Sequence, residues 1–207
     1  MTITSFTYLL FLAAGVFIYY LIPKKWQWVE LLGLSILFYC IVATPYTLIY
    51  ILIATAAVYF ATAFLEKGGR KAATAGVIAV VINAVLWFAL KGYALWAPLF
   101  QVMGITVKAP VAALGMGYYT LQAVGYILDC YWENSRPLKN PLQLLLFLCF
   151  FPQMITGPIS RFCELEDMYE GRGLSYQNLT YGAQRILWGF FKKLVLAERV
   201  GVLVTAI

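Results

Sequence analysis

FTYLLFLAAGVFIYYLIPKKWQW, residues 6–28, decides which solvent this chain is built for. Phe6 to Ile22 carries no charged side chain. Its seventeen residues, at about 1.5 Å each, reach roughly 26 Å, close to the ~30 Å hydrocarbon core of a bilayer. Pro23 closes the run, and Lys24 and Lys25 follow between Ile22 and the pair Trp26 and Trp28. Cations that can snorkel beside amphipathic rings are what a membrane–water interface selects. No Lys or Arg precedes the run and no small-residue cleavage site ends it, so it reads as a retained first span.

The composition extends that reading to the whole chain. Of 207 residues, 63% are hydrophobic and 12% are charged, against about 25% charged in an average soluble domain. Fifteen Lys and Arg with nine Asp and Glu cannot clothe a water-facing surface, whereas a lipid-facing one needs no such coat. The net charge of +6 sits in ones and twos at the ends of apolar runs, where it orients membrane helices. It forms no basic patch on a soluble fold, and nucleic acid is excluded as a partner. Cys40, Cys130, Cys149 and Cys163 show no CxxC spacing and the chain has no histidine. A metal site is therefore not expected, and the cysteines read as small hydrophobes.

Further runs follow. Val29 to Val42 is short, with Glu30 near its start, and stops at Thr44-Pro45. Thr47 to Leu65 offers Ala57 and Ala61 for close helix approach. Ala72 to Leu90 carries Asn83, and Lys91 to Lys108 reads as an interfacial connector. Val111 to Trp132 is a fifth span. Pro141 to Ile159 is apolar but broken by Pro152, Gly157 and Pro158, the pattern of a re-entrant segment that lines a cavity. From Ser175 an amphipathic helix begins, with Asn178, Arg185, Lys192 and Arg199 seven apart. Arg185, Lys192 and Arg199 then face anionic headgroups if the helix lies in the interface; a tilted span with its charges towards the bundle is the alternative. The expectation is an all-α integral membrane protein, one membrane domain over 1–207. It has about five spanning helices, a broken or re-entrant segment and an interfacial amphipathic helix. Lys24, Lys25, Lys67, Arg70, Lys71, Arg136 and Lys139 follow spans one, three and five, against Lys91 and Lys108 on the other side. The positive-inside rule then places the N-terminus outside the cell membrane.

Polar groups gather in two places. Tyr118, Gln122, Gly125 and Asp129 share one face of span five, with Tyr126 beside them. They wall a polar passage, or Asp129 pairs with Arg136 or Lys139 at the interface. In Phe151 to Arg161, two prolines and a glycine free backbone groups that need partners. Gln153 and Arg161 are the side chains placed to serve them; the alternative is a kinked helix with Arg161 at the headgroups.

LGMGYYTLQAVGYILDCY (114–131), FPQMITGPISR (151–161) and WGFFKKLVLAERV (188–200) resemble, in order and spacing, signatures of the membrane-bound O-acyltransferases. The nearest branch is the bacterial one of alginate O-acetylation and teichoic acid D-alanylation. The resemblance implies acyl transfer, acetyl by preference, from a thioester or acyl-carrier donor to hydroxyls of an extracytoplasmic glycan, or to an accessory transfer protein. It implies no bound cofactor. It also implies that Gln122, Tyr126, Asp129, Gln153, Gly157, Pro158 and Arg161 line or brace a substrate tunnel. Gly117 departs from the family's more usual serine. The family's histidine, a group able to take a hydroxyl proton near neutral pH, has no counterpart in this chain. The expectation is thus an N-terminal portion, inactive alone, with no catalytic residue of its own. A non-enzymatic membrane scaffold or degenerate copy is the alternative. A transporter predicts symmetric broken helices, and only one broken segment is present.

Overall fold

The computed structural model describes residues 5–42, 45–65, 70–92, 98, 115–132, 136–157, 159–197 and 199–201. Among these the regular secondary structure is entirely helical. Helix α1 is Phe6–Leu21, opened by Ser5, whose Oγ accepts from the Tyr8 amide at 3.3 Å. Pro23 ends it, and a 3₁₀ turn, Lys24–Trp26, runs straight into α2, Gln27–Val42. Helix α3 is Pro45–Leu65 and α4 is Arg70–Lys91. Helix α5 is Met116–Tyr131, α6 is Pro141–Cys149, and α7 is Phe151–Thr156. A single turn, α8, covers Phe162–Leu165, and α9 is Tyr176–Phe191.

This is a membrane protein whose described helices give three stretches long and apolar enough to cross a bilayer: Lys24–Val42, Leu48–Leu65 and Ala73–Lys91. A count of about five is therefore not confirmed among the described residues. Helix α1 is apolar but has sixteen residues, and so has α5. The start of the fifth span at 111–114 and most of the connector before it lie outside the described residues. The second run, by contrast, is longer than its apolar part suggests, because the turn at Lys24–Trp26 keeps the helix going.

Polar side chains inside these spans turn back on their own helix. Thr55 Oγ1 donates to Ile51 O at 2.7 Å, Thr62 Oγ1 to Val58 O at 2.9 Å and Asn83 Nδ2 to Ala79 O at 2.9 Å. Such bonds occupy a hydroxyl or amide N–H without water, which is how a lipid-embedded helix tolerates the donor, although Asn83 Oδ1 stays buried without a partner among the described residues. The buried stripe of α3 is Ile51, Ala54, Thr55, Val58, Ala61 and Thr62. Its small residues are Ala54 and Ala61, one turn off the Ala57 expectation, and they let α4, α5 and α6 pack closely.

Helix α6 is the centre. Leu144 to Cys149 are all buried, against α2, α3 and α5. The chain breaks after it at Phe150, where ψ is 111°, two residues earlier than Pro152. In a continuous helix the Pro152 ring would strike the Leu148 carbonyl. A break at Phe150 puts Pro152 in the first turn of α7, where a missing N–H costs nothing. Tyr8, Phe11, Phe38 and Phe151 then form an aromatic cluster that ties α1 and α2 to α7, with ring centroids 5.4–6.5 Å apart.

Helix α9 is amphipathic as expected, and none of its residues is buried. Ile186, Gly189 and Phe190 share a cavity with Tyr8 and Leu12, while the chain just before α9 is held beside Tyr19. A π turn at Lys192–Ala197 follows.

Candidate functional site

The two polar segments of the sequence meet where α5 crosses α7. Gly115 caps α5 with φ +68°, a conformation glycine alone adopts without strain. A Cβ there would lie 3.0 Å from Met154 O, so this glycine also lets α5 approach the α7 backbone. Two turns into α5, Gln122 is buried at 3% exposure, and on α7, next to Met154, Gln153 is buried at 8%. Gln122 Nε2 donates to Gln153 Oε1 at 2.6 Å, and Gln153 Nε2 donates to Ser160 Oγ at 2.8 Å. Gly157 makes the return of the chain possible: a Cβ would sit 2.3 Å from Gln153 Cα.

The result is a directed chain of donors, Gln122 to Gln153 to Ser160, in which the Ser160 hydroxyl proton and Gln122 Oε1 have no partner among the described residues. Removing either amide would strand the other in an apolar site, at a cost of about 1–3 kcal/mol. No member titrates near neutral pH, so the chain can orient a hydroxyl or polarise a carbonyl but cannot accept a proton.

The remaining expected residues are placed differently. Tyr126 is a core residue wedged between Phe147 and Phe162, at 5.8 and 5.2 Å. Its hydroxyl accepts from the Leu138 amide at 2.8 Å, so it braces the segment leading into α6. Asp129 is buried at 8% exposure near the end of α5. It makes no ion pair with Arg136 or Lys139; among the described residues the ion pair is Arg172–Asp167, at 2.8 Å. Arg161 is exposed, and its backbone amide donates to Glu164 Oε2 at 3.3 Å in the turn that opens α8. Tyr118 and Gly125 flank the buried face of α5. Gly117 has nothing within 4 Å of a would-be Cβ, so a serine there would be accommodated. Pro158 lies outside the described residues. Arg185 and Lys192 are exposed and stack on their own helix, over Tyr181 at 5.1 Å and Trp188 at 5.6 Å; Arg199 is exposed.

Three polar groups went unread in the sequence. Ser35 Oγ donates to Leu31 O at 2.8 Å and accepts from the Phe151 amide at 3.3 Å, satisfying the donor freed at the helix break. Gln27, 2% exposed, accepts from the Arg172 amide at 2.8 Å and donates to Arg172 O at 3.0 Å and Tyr19 O at 3.2 Å. Tyr169 donates to Gln143 O at 2.8 Å, and burial pushes its phenol above the ordinary range. A lone Ser or Gln inside an apolar run was the available signal.

Curated proteins share this sequence pattern over part of their length. Probable alginate O-acetylase AlgI of Pseudomonas aeruginosa is 30% identical over 90 residues, 44% of this chain and 17% of the relative. Its counterpart in Pseudomonas syringae pv. tomato is 29% identical over 43% of this chain and 17% of its own length. The chain is similar to bacterial O-acetylases. A peptidoglycan O-acetyltransferase of Helicobacter pylori is 28% identical over 50% of this chain and 24% of its own. The chain thus spans no more than a quarter of the length of these relatives. No family model and no solved structure matches it.

Proposed function

We propose that this chain forms part of a membrane-bound O-acetyltransferase acting on an extracytoplasmic polysaccharide. The acyl group comes from a thioester or acyl-carrier donor, and the acceptor is a glycan hydroxyl or an accessory transfer protein. The observation that carries the reading is the buried Gln122–Gln153–Ser160 chain, which joins the two segments that resemble the O-acyltransferases. Hydrogen-bond donors fixed in a dry site favour developing negative charge on a thioester oxygen and hold an attacking hydroxyl in line.

The same reading puts Asp129, Gly157 and Arg161 around the passage and Tyr126 behind it. The protein sits in the cell membrane with its N-terminus on the outer side, and the region of Arg185, Lys192 and Arg199 contacts headgroups. With no histidine in the chain, the base is supplied from outside these residues, and the chain alone is inactive. That lack favours a second reading, a non-enzymatic membrane subunit. Transfer of labelled acetyl groups to cell-wall polysaccharide separates the two, measured with the whole genomic reading frame expressed in cells. Gln122→Leu and Gln153→Leu should each lower transfer at least about tenfold at equal membrane abundance. Wild-type transfer in both variants would remove the acyltransfer role of this site.

A further inference from the structure

Beside α1 lies a cavity of about 420 Å³, whose lining includes none of Gln122, Gln153 and Ser160. Its inner wall is apolar, with Leu12 and Val16 of α1, Leu31 and Leu34 of α2, and Phe151 of α7. Its mouth is polar and carries both signs of charge. Glu164, Asp167 and Arg172 stand there beside Tyr19 and Tyr20. The Arg172–Asp167 pair is 59% and 73% exposed. Lys24 Nζ comes within 3.6 Å of where a Gly173 side chain would start.

A second apolar cavity of about 330 Å³ shares Leu12 and Pro152 with the first and continues along α1 to Tyr8, with Phe190 of α9 as its far wall. The trough from Tyr20 to Tyr8 follows twelve residues of α1, about 18 Å. One leaflet of hydrocarbon is roughly 15 Å deep, half of the core thickness. An opening of that depth in a lipid-facing wall is not left empty, because a void forfeits the dispersion contacts of its lining.

We propose that this trough holds an acyl chain of a zwitterionic phospholipid with a primary ammonium head, phosphatidylethanolamine. Its ammonium meets Glu164 and Asp167, and its phosphate meets Arg172 and Lys24. The two carboxylates disfavour an anionic head such as phosphatidylglycerol, which would bring negative charge without an ammonium to offset it. The site rests on the membrane reading alone and is independent of acyl transfer.

The test is lipid analysis of the full chain, purified in mild detergent from membranes containing both lipids and extracted for mass spectrometry. Phosphatidylethanolamine should be retained and enriched over phosphatidylglycerol by about threefold or more relative to the membrane. Val16→Trp fills the trough and should abolish the retained fraction. Asp167→Asn should keep a bound lipid but lose most of the preference, and it carries the test alone if Val16→Trp does not fold. Undiminished retention in Val16→Trp, equal retention of both lipids by the wild type, no retained lipid, or an unchanged preference in Asp167→Asn would each overturn the proposal.

Discussion

Replacing Gln27 by leucine is the sharpest probe of how this chain is held together. Gln27 joins two segments 145 residues apart in sequence, through paired bonds to the amide and carbonyl of Arg172. Leucine keeps much of the volume but removes both bonds. Each is worth about 0.5–1.5 kcal/mol net, so the Gly171–Gly173 segment should open more easily by about 1–3 kcal/mol. At about 1.4 kcal/mol per factor of ten, that is roughly a 5- to 150-fold larger open population. Arg172 is itself a trypsin site and its side chain is exposed. When reclosing is faster than cutting, the cleavage rate reports that population directly. Limited trypsin digestion in detergent, with cleavage after Arg185 as the internal reference, gives the ratio. Gln27→Glu keeps an acceptor for the Arg172 amide but turns a buried carboxylate oxygen towards the Tyr19, Ile22 and Arg172 carbonyls, and should open the segment at least as much as Gln27→Leu. Cleavage after Arg172 within about twofold of wild type in Gln27→Leu would refute the reasoning.

Three further outcomes are expected. Gln122→Leu and Gln153→Leu should each destabilise by about 1–3 kcal/mol, and the double variant by less than their sum, because no stranded amide remains; thermal melts in detergent read the cycle. Gly157→Ala should lower Tm, since its Cβ meets backbone atoms of Gln153 at 2.3 and 2.8 Å, whereas Gly117→Ala, in open space within a helix, should hold or raise it. Burial raises the Tyr169 phenol above its ordinary 10.0, so the folded form keeps a proton that the unfolded chain loses. Its contribution is whole below about pH 10 and is lost as pH climbs towards the raised value. Tyr169→Phe should cost about 1 kcal/mol at neutral pH through the lost bond to Gln143 and should flatten the alkaline fall in Tm.

The membrane character was legible because it is written in composition and in the Pro-Lys-Lys-Trp boundary at residues 23–26, features that need no partner. Gln122 and Gln153 were legible as buried polar groups, since an amide in an apolar run has to turn inward. That they bond each other was not, because the contact depends on how closely Gly115 lets α5 approach α7. Tyr126 was legible as an inward-facing residue, but its bond to the Leu138 amide was not, because that partner lies on the loop beyond the helix. The break at Phe150 was placed at Pro152 because proline marks the strain, while the chain yields upstream, where Ser35 of another helix can receive the freed amide. Ser35 and Gln27 were missed for one reason. Their partners lie more than a hundred residues away, beyond any local pattern.

Helix α6 also constrains the order of assembly. Its nine residues extend about 14 Å, less than half of the bilayer core, and its end at Phe150 leaves backbone groups that hydrocarbon cannot satisfy. Such a segment has no stable resting place of its own among lipid tails. It settles only once α2 and α3 stand ready with Ser35 and the small-residue stripe to receive it. The middle of this protein is therefore seated after α2 and α3, and a lesion in either of them would be felt first as a failure to lodge the helix between them.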